Sequence, residues 1–323
     1  MLSPLVFLTF LASVLLCWLY RQLALRWHIF DVPNERSAHQ RPTPRGGGVG
    51  LFLALVAGVI LAAATLDTWP PPYGVLLLTG GLLVLIGLFD DIYGLPARWR
   101  MLGYAVLCTA VVVWLWWPAP PLLLGLASFY LLWLLNLYNF MDGIDGLAAL
   151  EALFVCLAAA ALGSSIGIPQ WQILFCLLLA AVCAGFLVWN LPTASLFMGD
   201  AGSITLGFLL GLLSLLGETQ AGLPLLSWLI LLAVFVSDAT VTLLRRILTR
   251  QAFSEAHSQH LYQRLARYWG QPGWVLWAVL AVNVLWLLPL AAVAALWPEW
   301  SWGALVAAYV PLLAGVANSD ILP

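Results

Sequence analysis

The chain has 323 residues, of which 63% are apolar and only 8% are charged, and its mean hydropathy is +1.01. Soluble globular proteins carry about 25% charged residues, so this composition excludes that class and predicts an integral membrane protein. The formal net charge of −2, without a basic patch interleaved with aromatic residues, gives no support for nucleic-acid binding.

All twelve positively charged side chains are arginines. The lack of lysine excludes a Schiff-base lysine and the lysine of a phosphate-binding P-loop. Any bound phosphate therefore relies on arginine, histidine, backbone N–H groups or a metal ion. The five cysteines lie inside apolar runs without paired spacing, and we interpret them as small buried apolar residues.

Apolar runs long enough to cross a bilayer recur along the whole chain. The predicted fold class is all-α: residues 1–323 form one domain, a polytopic transmembrane helical bundle with about eleven spans. The first span, at residues 4–20, is followed rather than preceded by arginine, which indicates an uncleaved span with the N terminus outside. The later spans are predicted at residues 49–66, 73–89, up to 117, 122–135, up to 162, 171–189, 204–216, 225–244, 274–297 and 302–316.

The arginines favour one orientation of these spans. Counted along the chain, the polar segments fall on one face, and that face also holds every arginine. The positive-inside rule makes it the cytoplasmic face and places the C terminus there. The predicted cytoplasmic loops are residues 28–48, 90–100, 136–146, 190–203 and 245–271.

In the first of these loops, basic side chains precede three successive glycines, Gly46 to Gly48, just before a predicted helix. Glycines at such a place leave backbone N–H groups open to an anion. The segment therefore indicates anion binding. The basic residues are Arg36, His39, Arg41 and Arg45.

Two adjacent carboxylates, Asp90 and Asp91, close the third predicted span. The two negative charges repel each other at a membrane interface, and a divalent cation, an arginine or a shared proton must relieve this repulsion. The alternative is an ordinary acidic helix end, but carboxylates at a helix C-terminus oppose the helix dipole. The pair therefore favours a functional site.

Four polar residues follow the fifth predicted span at every third position, and two glycines interrupt the segment. Such glycines favour the end or a kink of a helix, with the polar groups converging on a pocket. A capped helix end with satisfied Asn and Asp side chains is the alternative. The polar residues are Asn136, Asn139, Asp142 and Asp145, and the glycines are Gly143 and Gly146.

Asp200 lies between Gly199 and Gly202, directly before the eighth predicted span. Alone it would be read as an N-cap. Its flanking glycines also allow the backbone to approach a phosphate or a metal ion. Phe197 is placed either to stack on a base or to anchor the span at the membrane interface.

In the last polar segment, His257, His260 and Arg264 have the spacing of one helix face, with Tyr268 next on it. The two alternatives are a pyrophosphate contact and a basic amphipathic helix lying on anionic lipid. We find no acidic or basic residue in the middle of a predicted span, and this disfavours a transporter, which needs such charges. Chemistry at the cytoplasmic interface on a phosphorylated substrate is the better inference.

Taken together, these motifs resemble the polyprenyl-phosphate N-acetylhexosamine-1-phosphate transferases. This superfamily includes phospho-MurNAc-pentapeptide translocase and the enzymes that start O-antigen and teichoic-acid linkage synthesis, and the O-antigen branch looks closest. The matching motifs run in the family's order from residue 31 to residue 264. They are Asp31-x-Pro33-Asn34-x-Arg36-x-x-His39, Pro42-Thr43-Pro44-x-Gly46-Gly47-Gly48, Asp90-Asp91, Asn136-x-x-Asn139-x-x-Asp142-Gly143-x-Asp145-Gly146-Leu147-Ala148, Phe197-x-Gly199-Asp200-x-Gly202-Ser203 and His257-x-x-His260.

The resemblance implies that undecaprenyl phosphate attacks the β-phosphate of a UDP-N-acetylhexosamine and releases UMP, with Mg²⁺, or Mn²⁺ as the alternative, as cofactor. It implies a bacterial inner membrane enzyme that contacts membrane lipid and begins lipopolysaccharide or other envelope glycan synthesis. The sequence leaves open whether the chain forms a homodimer. A non-enzymatic transporter or a lipid-phosphate-binding scaffold is the rival hypothesis.

The resemblance also implies roles for individual residues. Asp90 and Asp91 match the catalytic pair, and Asp200 matches the metal ligand. The implied nucleotide-binding residues are Asn139, Asp142, Gly143, Asp145, Asn190 and Phe197. The implied phosphate- and sugar-binding residues are Asn34, Arg36, His39, Arg45, Asn136, His257, His260 and Arg264.

Overall fold

The computed structural model describes residues 2–33, 41–251 and 259–318, and these are almost entirely helical. Two short strands, β1 (Phe30–Asp31) and β2 (Thr43–Pro44), pair antiparallel. The helices are α1 (Leu2–Arg26), α2 (Gly48–Leu66), α3 (Pro71–Tyr93), α4 (Ala97–Trp116), α5 (Pro121–Met141), α6 (Leu147–Ile166), α7 (Gln170–Asn190), α8 (Asp200–Thr219), α9 (Leu225–Leu231), α10 (Ala233–Leu248), α11 (Leu261–Trp269), α12 (Pro272–Val282), α13 (Leu288–Leu296) and α14 (Ser301–Ala317).

The predicted membrane bundle is confirmed. In the described residues, ten helical segments are long and apolar enough to cross a membrane, and α9 with α10 makes an eleventh if the two form one span. A π-helical turn (Asn283–Leu287) joins α12 to α13 within a single span. Several helices run further than the apolar runs suggested, so that α3 includes both carboxylates of the acidic pair.

The ninth span is not the straight helix that we predicted. α9 and α10 meet at a bend of 73°. The α11 helix that follows them contacts the last turn of α5, where the Tyr262 hydroxyl donates to the Phe140 carbonyl at 3.0 Å. The last polar segment therefore lies at the same end of the bundle as the 136–146 segment, as expected if the bent pair crosses the bundle once.

We predicted that no acidic or basic residue lies in the middle of a span. This prediction was wrong, because two carboxylates lie inside helices. Glu151 of α6 is 1% exposed and accepts a hydrogen bond from Asn283 at 2.5 Å. Asp238 of α10 is 3% exposed. Both were missed because a single carboxylate hardly alters the apolar character of a long run, while its partner is distant in the sequence.

Helix α8 is the centre of the bundle and packs mainly against α3 and α5. In the apolar stretch of α8 that could span a membrane, 94% of the residues are buried. Small residues let its first turn approach neighbouring backbones closely. A Cβ added at Gly48 of α2 would collide with the backbone of Gly202, and one at Gly87 of α3 would collide with Ala201. The start of α8 is therefore fixed against two other helices.

Candidate active site

The carboxylate of Asp91 closes the N-terminus of α8 from the neighbouring helix α3. It accepts hydrogen bonds from the backbone N–H of Asp200 at 3.0 Å and of Ala201 at 3.2 Å. The first N–H groups of a helix have no partner within the helix, and a carboxylate also complements the helix dipole there. Asp91 thus acts as a cap supplied by tertiary structure, and Asp200 is the first residue of the helix rather than its N-cap.

Arg45 neutralises Asp91 from the opposite side. Its Nε and Nη2 atoms donate to Asp91 Oδ1 at 3.0 and 2.5 Å. The Asp91 side chain is 0% exposed, whereas that of Arg45 remains 27% exposed. The predicted anion-binding loop and the predicted acidic pair are therefore parts of one site, with Asp91 at its protein-facing edge.

Arg100 joins the other two carboxylates of the site. Its Nη1 atom donates to Asp200 Oδ2 at 2.7 Å and also contacts Asp90 Oδ2. The second oxygen of Asp90 accepts the backbone N–H of Leu95 at 2.7 Å. We did not single out Arg100 from the sequence, although an arginine soon after two adjacent carboxylates was a usable signal. The two acidic motifs, 110 residues apart, therefore share one cation.

Asn139 holds the remaining oxygen of Asp200. Its Nδ2 atom lies 3.0 Å from Asp200 Oδ1 and 3.0 Å from Ser203 Oγ. The Ser203 hydroxyl donates in turn to the Gly199 carbonyl at 3.1 Å. Asn139 thus orients the predicted metal ligand, a role different from the nucleotide contact that the resemblance implied and that stays a prediction.

Several carboxyl groups are crowded together on the α5 side of the site. Asp142 follows α5, and its burial, together with the nearby carboxylates of Asp200, Asp91 and Asp145, raises its pKa well above the usual value. Clustered carboxylates of this kind attract cations into a partly enclosed site. A divalent ion bound beside the two arginines would relieve the repulsion among these carboxylates.

Oxygen donors of the kind that Mg²⁺ prefers are present. Within the described ranges, no three His, Cys, Asp or Glu side chains are gathered around one ion position. Mg²⁺ is usually held by one or two carboxylates plus substrate phosphates rather than by a full protein cage. Asp200, whose side chain is 18% exposed against 7% for Asp90, fits that mode best.

Backbone hydrogen bonds join two loops beside the carboxylates. The N–H groups of Gly47 and Gly48 donate to the carbonyls of Phe197 and Met198, both at 2.9 Å, so the prediction that these glycines leave N–H groups open to an anion is wrong for these two residues. Gly199 has a φ of +71°, and a Cβ there would collide with Asp91 Oδ2. Glycine is therefore required at this turn for its left-handed conformation and for its close approach to the carboxylate.

The predicted nucleotide-side residues tie the 136–146 segment to the 190–203 segment. Asp145 Oδ2 accepts the Ala194 N–H at 2.9 Å. Asn190, 3% exposed, accepts the Gly146 N–H and donates to the Leu196 carbonyl, both at 3.0 Å. These bonds hold the two segments together beside the carboxylate cluster. Whether the same side chains contact a nucleotide stays a prediction.

The histidine segment is organised differently from the predicted helix face. His260 precedes α11 as its N-cap residue, so it does not share a helical face with Arg264. Its Nδ1 atom lies 3.3 Å from Asp238 Oδ1. Asp238 also accepts the backbone N–H groups of Leu261 and Tyr262, both at 2.9 Å. Asp238 therefore caps α11 and orients His260, a role that no local sequence pattern signalled.

Other predicted residues lie elsewhere. Asn136 donates to the Leu132 carbonyl of its own helix at 2.7 Å, and Arg264 Nε donates to the Gln259 carbonyl at 3.1 Å. Gly143 lies against the Tyr262 hydroxyl, so the α11 segment closes over the 136–146 wall. The predictions for Asn34, Arg36, His39 and His257 concern residues outside the described ranges.

We expect Asp238→Ala to release α11 from the 136–146 segment, because two backbone N–H groups, one buried and one partly buried, and His260 lose their acceptor. An unsatisfied buried donor costs about 1–3 kcal/mol. Trypsin cleavage at Arg264 and Arg267 in detergent should become faster than in the parent protein. Thr242→Val is the matched control, because Thr242 also bonds Asp238 Oδ1, at 3.2 Å, but leaves the cap intact. Equal cleavage of both variants would contradict the capping role.

A family model and several known proteins are similar to this chain. A family model described as glycosyl transferase family 4 matches residues 73–218, a range that contains Asp90, Asn139 and Asp200. Over 264 aligned residues the chain is 29% identical to a probable undecaprenyl-phosphate N-acetylglucosaminyl 1-phosphate transferase of Bacillus subtilis, covering 77% of this chain and 72% of the relative.

Two further relatives are more similar residue by residue. A decaprenyl-phosphate N-acetylglucosaminephosphotransferase of Mycolicibacterium smegmatis is 33% identical over 293 residues, covering 76% of this chain and 70% of the relative. A phospho-N-acetylmuramoyl-pentapeptide-transferase of Heliobacterium modesticaldum is 34% identical over 236 residues, covering 64% and 70%. The aligned lengths span most of each protein.

Proposed function

The chain belongs to glycosyl transferase family 4 and to the superfamily of polyprenyl-phosphate hexosamine-1-phosphate transferases, and from this membership we propose its reaction. It transfers N-acetylhexosamine 1-phosphate from a UDP-sugar to undecaprenyl or another polyprenyl phosphate and releases UMP. The product is the first lipid-linked intermediate of an envelope glycan such as an O-antigen.

One observation carries this proposal. Asp90, Asp200 and Asn139 come from three different helices and meet at the start of α8, and Arg100 joins the two carboxylates. Phosphoryl transfer depends on positioning and on stabilising negative charge rather than on covalent chemistry by the protein. A cluster of carboxylates with two arginines at the end of a membrane bundle provides both.

The bonds of the reaction follow from its substrates. A phosphate oxygen of the polyprenyl phosphate bonds to the β-phosphorus of the UDP-sugar. The bond from that phosphorus to the oxygen bridging the two phosphates breaks, and the electron pair leaves on UMP. We assign Arg100 and Arg45 to binding phosphate oxygens, and Asn139 to keeping Asp200 in a fixed orientation.

We propose Mg²⁺, or Mn²⁺ in its place, as the cofactor, held mainly by Asp200 with Asp90. When bound, the ion neutralises charge that develops on the diphosphate. Asp91 is less suited to direct ligation, because its side chain is fully buried against the first turn of α8, whereas that of Asp200 remains 18% exposed. We infer that it fixes the geometry of the site.

We expect Asp90→Asn to lower the rate by the same factor between about pH 7 and pH 9. A phosphate monoester with a second pKa near 6 is already mostly dianionic there, so a general base adds little. Asp90 is bonded to Arg100 and Leu95, which suits positioning instead. A pH–rate profile of the variant checks this expectation. Recovery of the rate above about pH 8 would restore the general-base hypothesis.

We propose that the enzyme lies in a bacterial cytoplasmic membrane with this site on the cytoplasmic face. The distribution of the arginines supports the orientation. UDP-sugars and Mg²⁺ are cytoplasmic, so the water-soluble donor reaches the site from that side while the lipid acceptor arrives through the bilayer.

The deciding experiment gives the purified protein Mg²⁺, undecaprenyl phosphate and a panel of UDP-N-acetylhexosamines, and identifies the released nucleotide. UMP supports the proposal and identifies the sugar. UDP would indicate a glycosyltransferase that passes only the sugar. No nucleotide release from any donor would favour the rival of a non-enzymatic transporter or lipid-phosphate-binding protein.

A further inference from the structure

One polar group beside the carboxylate cluster has no role in the assignments above. Tyr104 of α4 is 2% exposed, and its hydroxyl has no hydrogen-bond partner among the residues that the structure describes. A hydroxyl buried without a partner costs free energy, so buried tyrosines normally find one. The other buried tyrosines do find one: Tyr73 donates to the Trp171 carbonyl at 3.1 Å, and Tyr138 and Tyr262 each donate to a carbonyl at 3.0 Å.

The Tyr104 hydroxyl lies close to the carboxylate cluster. Tyr104 lies one helical turn beyond Arg100, on the same face of α4, about 6 Å deeper along the helix axis. Side chains on a helix lean towards its N-terminus, which here is the end that carries Arg100. The hydroxyl interacts electrostatically with Asp200, Arg100 and Asp90.

Each neighbouring carboxylate oxygen is held by one other donor, and the Tyr104 hydroxyl is bonded to none of these oxygens. Asp200 is bonded by Arg100 and Asn139, and Asp90 by Arg100 and Leu95. The hydroxyl can therefore donate to a group that enters the site. In this reaction the entering groups with strong acceptor oxygens are phosphates.

The position of Tyr104 selects the acceptor phosphate over the donor diphosphate. It lies on the bilayer side of the cluster. In the apolar stretch of α4 that could span a membrane, only 22% of the residues are buried, so most of this helix is open to lipid. Ala105, the next residue, lines a groove of about 450 Å³ between α4 and α5, together with Thr109, Leu124 and Phe129. Tyr104 itself faces away from this groove by about 100° around α4, so an isoprenoid chain in the groove would lie at the depth of Tyr104 on the neighbouring face of the helix.

We propose that Tyr104 donates a hydrogen bond to the phosphate of the polyprenyl acceptor and so acts as a further binding residue of the site. This inference rests on the proposed function. With Arg100 it gives the acceptor phosphate one charged and one neutral donor, one turn apart on α4.

The test is Tyr104→Phe, which removes the hydroxyl and keeps the ring. Hydrogen bonds to charged groups contribute enough to predict a rise of about 10-fold to 100-fold in the KM for polyprenyl phosphate. The KM for the UDP-sugar should stay within about twofold. The variant should also unfold at the same or a higher temperature, because it no longer buries an unpaired hydroxyl. Tyr73→Phe is the matched control: it should lose stability through its broken bond and keep both KM values.

A second measurement needs no turnover. Farnesyl phosphate, a short-chain acceptor, should raise the unfolding temperature of the parent protein and of Tyr73→Phe more than that of Tyr104→Phe. Equal shifts together with unchanged KM values would overturn the inference, and so would a rise confined to the KM for the UDP-sugar. If the parent protein released no UMP but only Tyr104→Phe lost the farnesyl phosphate shift, the proposed reaction would fail and the acceptor contact would stand.

Discussion

Asp200→Ala should abolish UMP release and leave a folded, membrane-inserted protein. Asp200 is the most exposed of the three clustered carboxylates and is held in place by Arg100 and Asn139. If it ligates the metal ion, its loss removes several kcal/mol of transition-state stabilisation, a fall in turnover of at least about 10³-fold. The measurement is nucleotide release at saturating concentrations of both substrates.

Stability should respond in the opposite sense to activity. Removing one of several mutually repelling carboxylates relieves the folded state, so Asp200→Ala should unfold at the parent temperature or above it. Asp67→Asn is the control: it replaces a carboxylate that ends α2 at the opposite side of the bundle, in a left-handed conformation that asparagine tolerates. That variant should keep full activity. Near-parental activity of Asp200→Ala would exclude its assignment as the metal ligand.

Asp91→Ala should lose both activity and stability. Asp91 caps α8 and pairs with Arg45, and its side chain is fully buried. Removing one partner of a buried ion pair costs about 3–5 kcal/mol, and Arg45 is partly exposed, so we expect the lower end of that range. The unfolding temperature in detergent should fall by about 5–10 °C. Asp91→Asn, which keeps an acceptor for part of the cap, should lie between.

A double variant separates the charge pair from the cap. Arg45→Met with Asp91→Leu removes both charges, so it should recover part of the stability lost in Asp91→Ala while staying inactive. If Asp91→Ala unfolded at the same temperature as Asp200→Ala, the capping role inferred for Asp91 would be wrong. The two aspartates, in direct contact through the Asp200 N–H, would thus be distinguished by the sign of their effects on stability.

The sequence predicted the membrane class and nearly all of the spans. Long apolar runs have one stable outcome in lipid, because every backbone polar group must be bonded within the segment. The turns were readable for a similar reason: Gly146, with a φ of +81°, directly precedes α6 where the glycine was expected to interrupt the helix. The 73° bend between α9 and α10 was not readable, because no proline or glycine marks it.

The polar motifs also indicated which segments form the site, though not which atoms meet. Asp90 and Asp200 were selected because charge at the end of an apolar run is costly without a function. Arg100, Asp238 and Tyr104 were not selected, since an arginine in a loop, one carboxylate in a helix and one tyrosine in a span are each unremarkable alone. The significance of Arg100 and Asp238 comes from partners 100 and 22 to 24 residues away, and that of Tyr104 from a hydroxyl left without a hydrogen-bond partner beside the site.

By itself the sequence predicted the helical bundle and the face of the bundle that holds the arginines, and it determined the residue types available for phosphate chemistry. These properties depend on composition and local spacing. Only the tertiary structure decided which role each carboxylate has. Adjacent side chains on α3 point to different surroundings, so Asp91 turns into the start of α8 while Asp90 meets Arg100. Helix packing, through close approaches at Gly48 and Gly87, sets those surroundings.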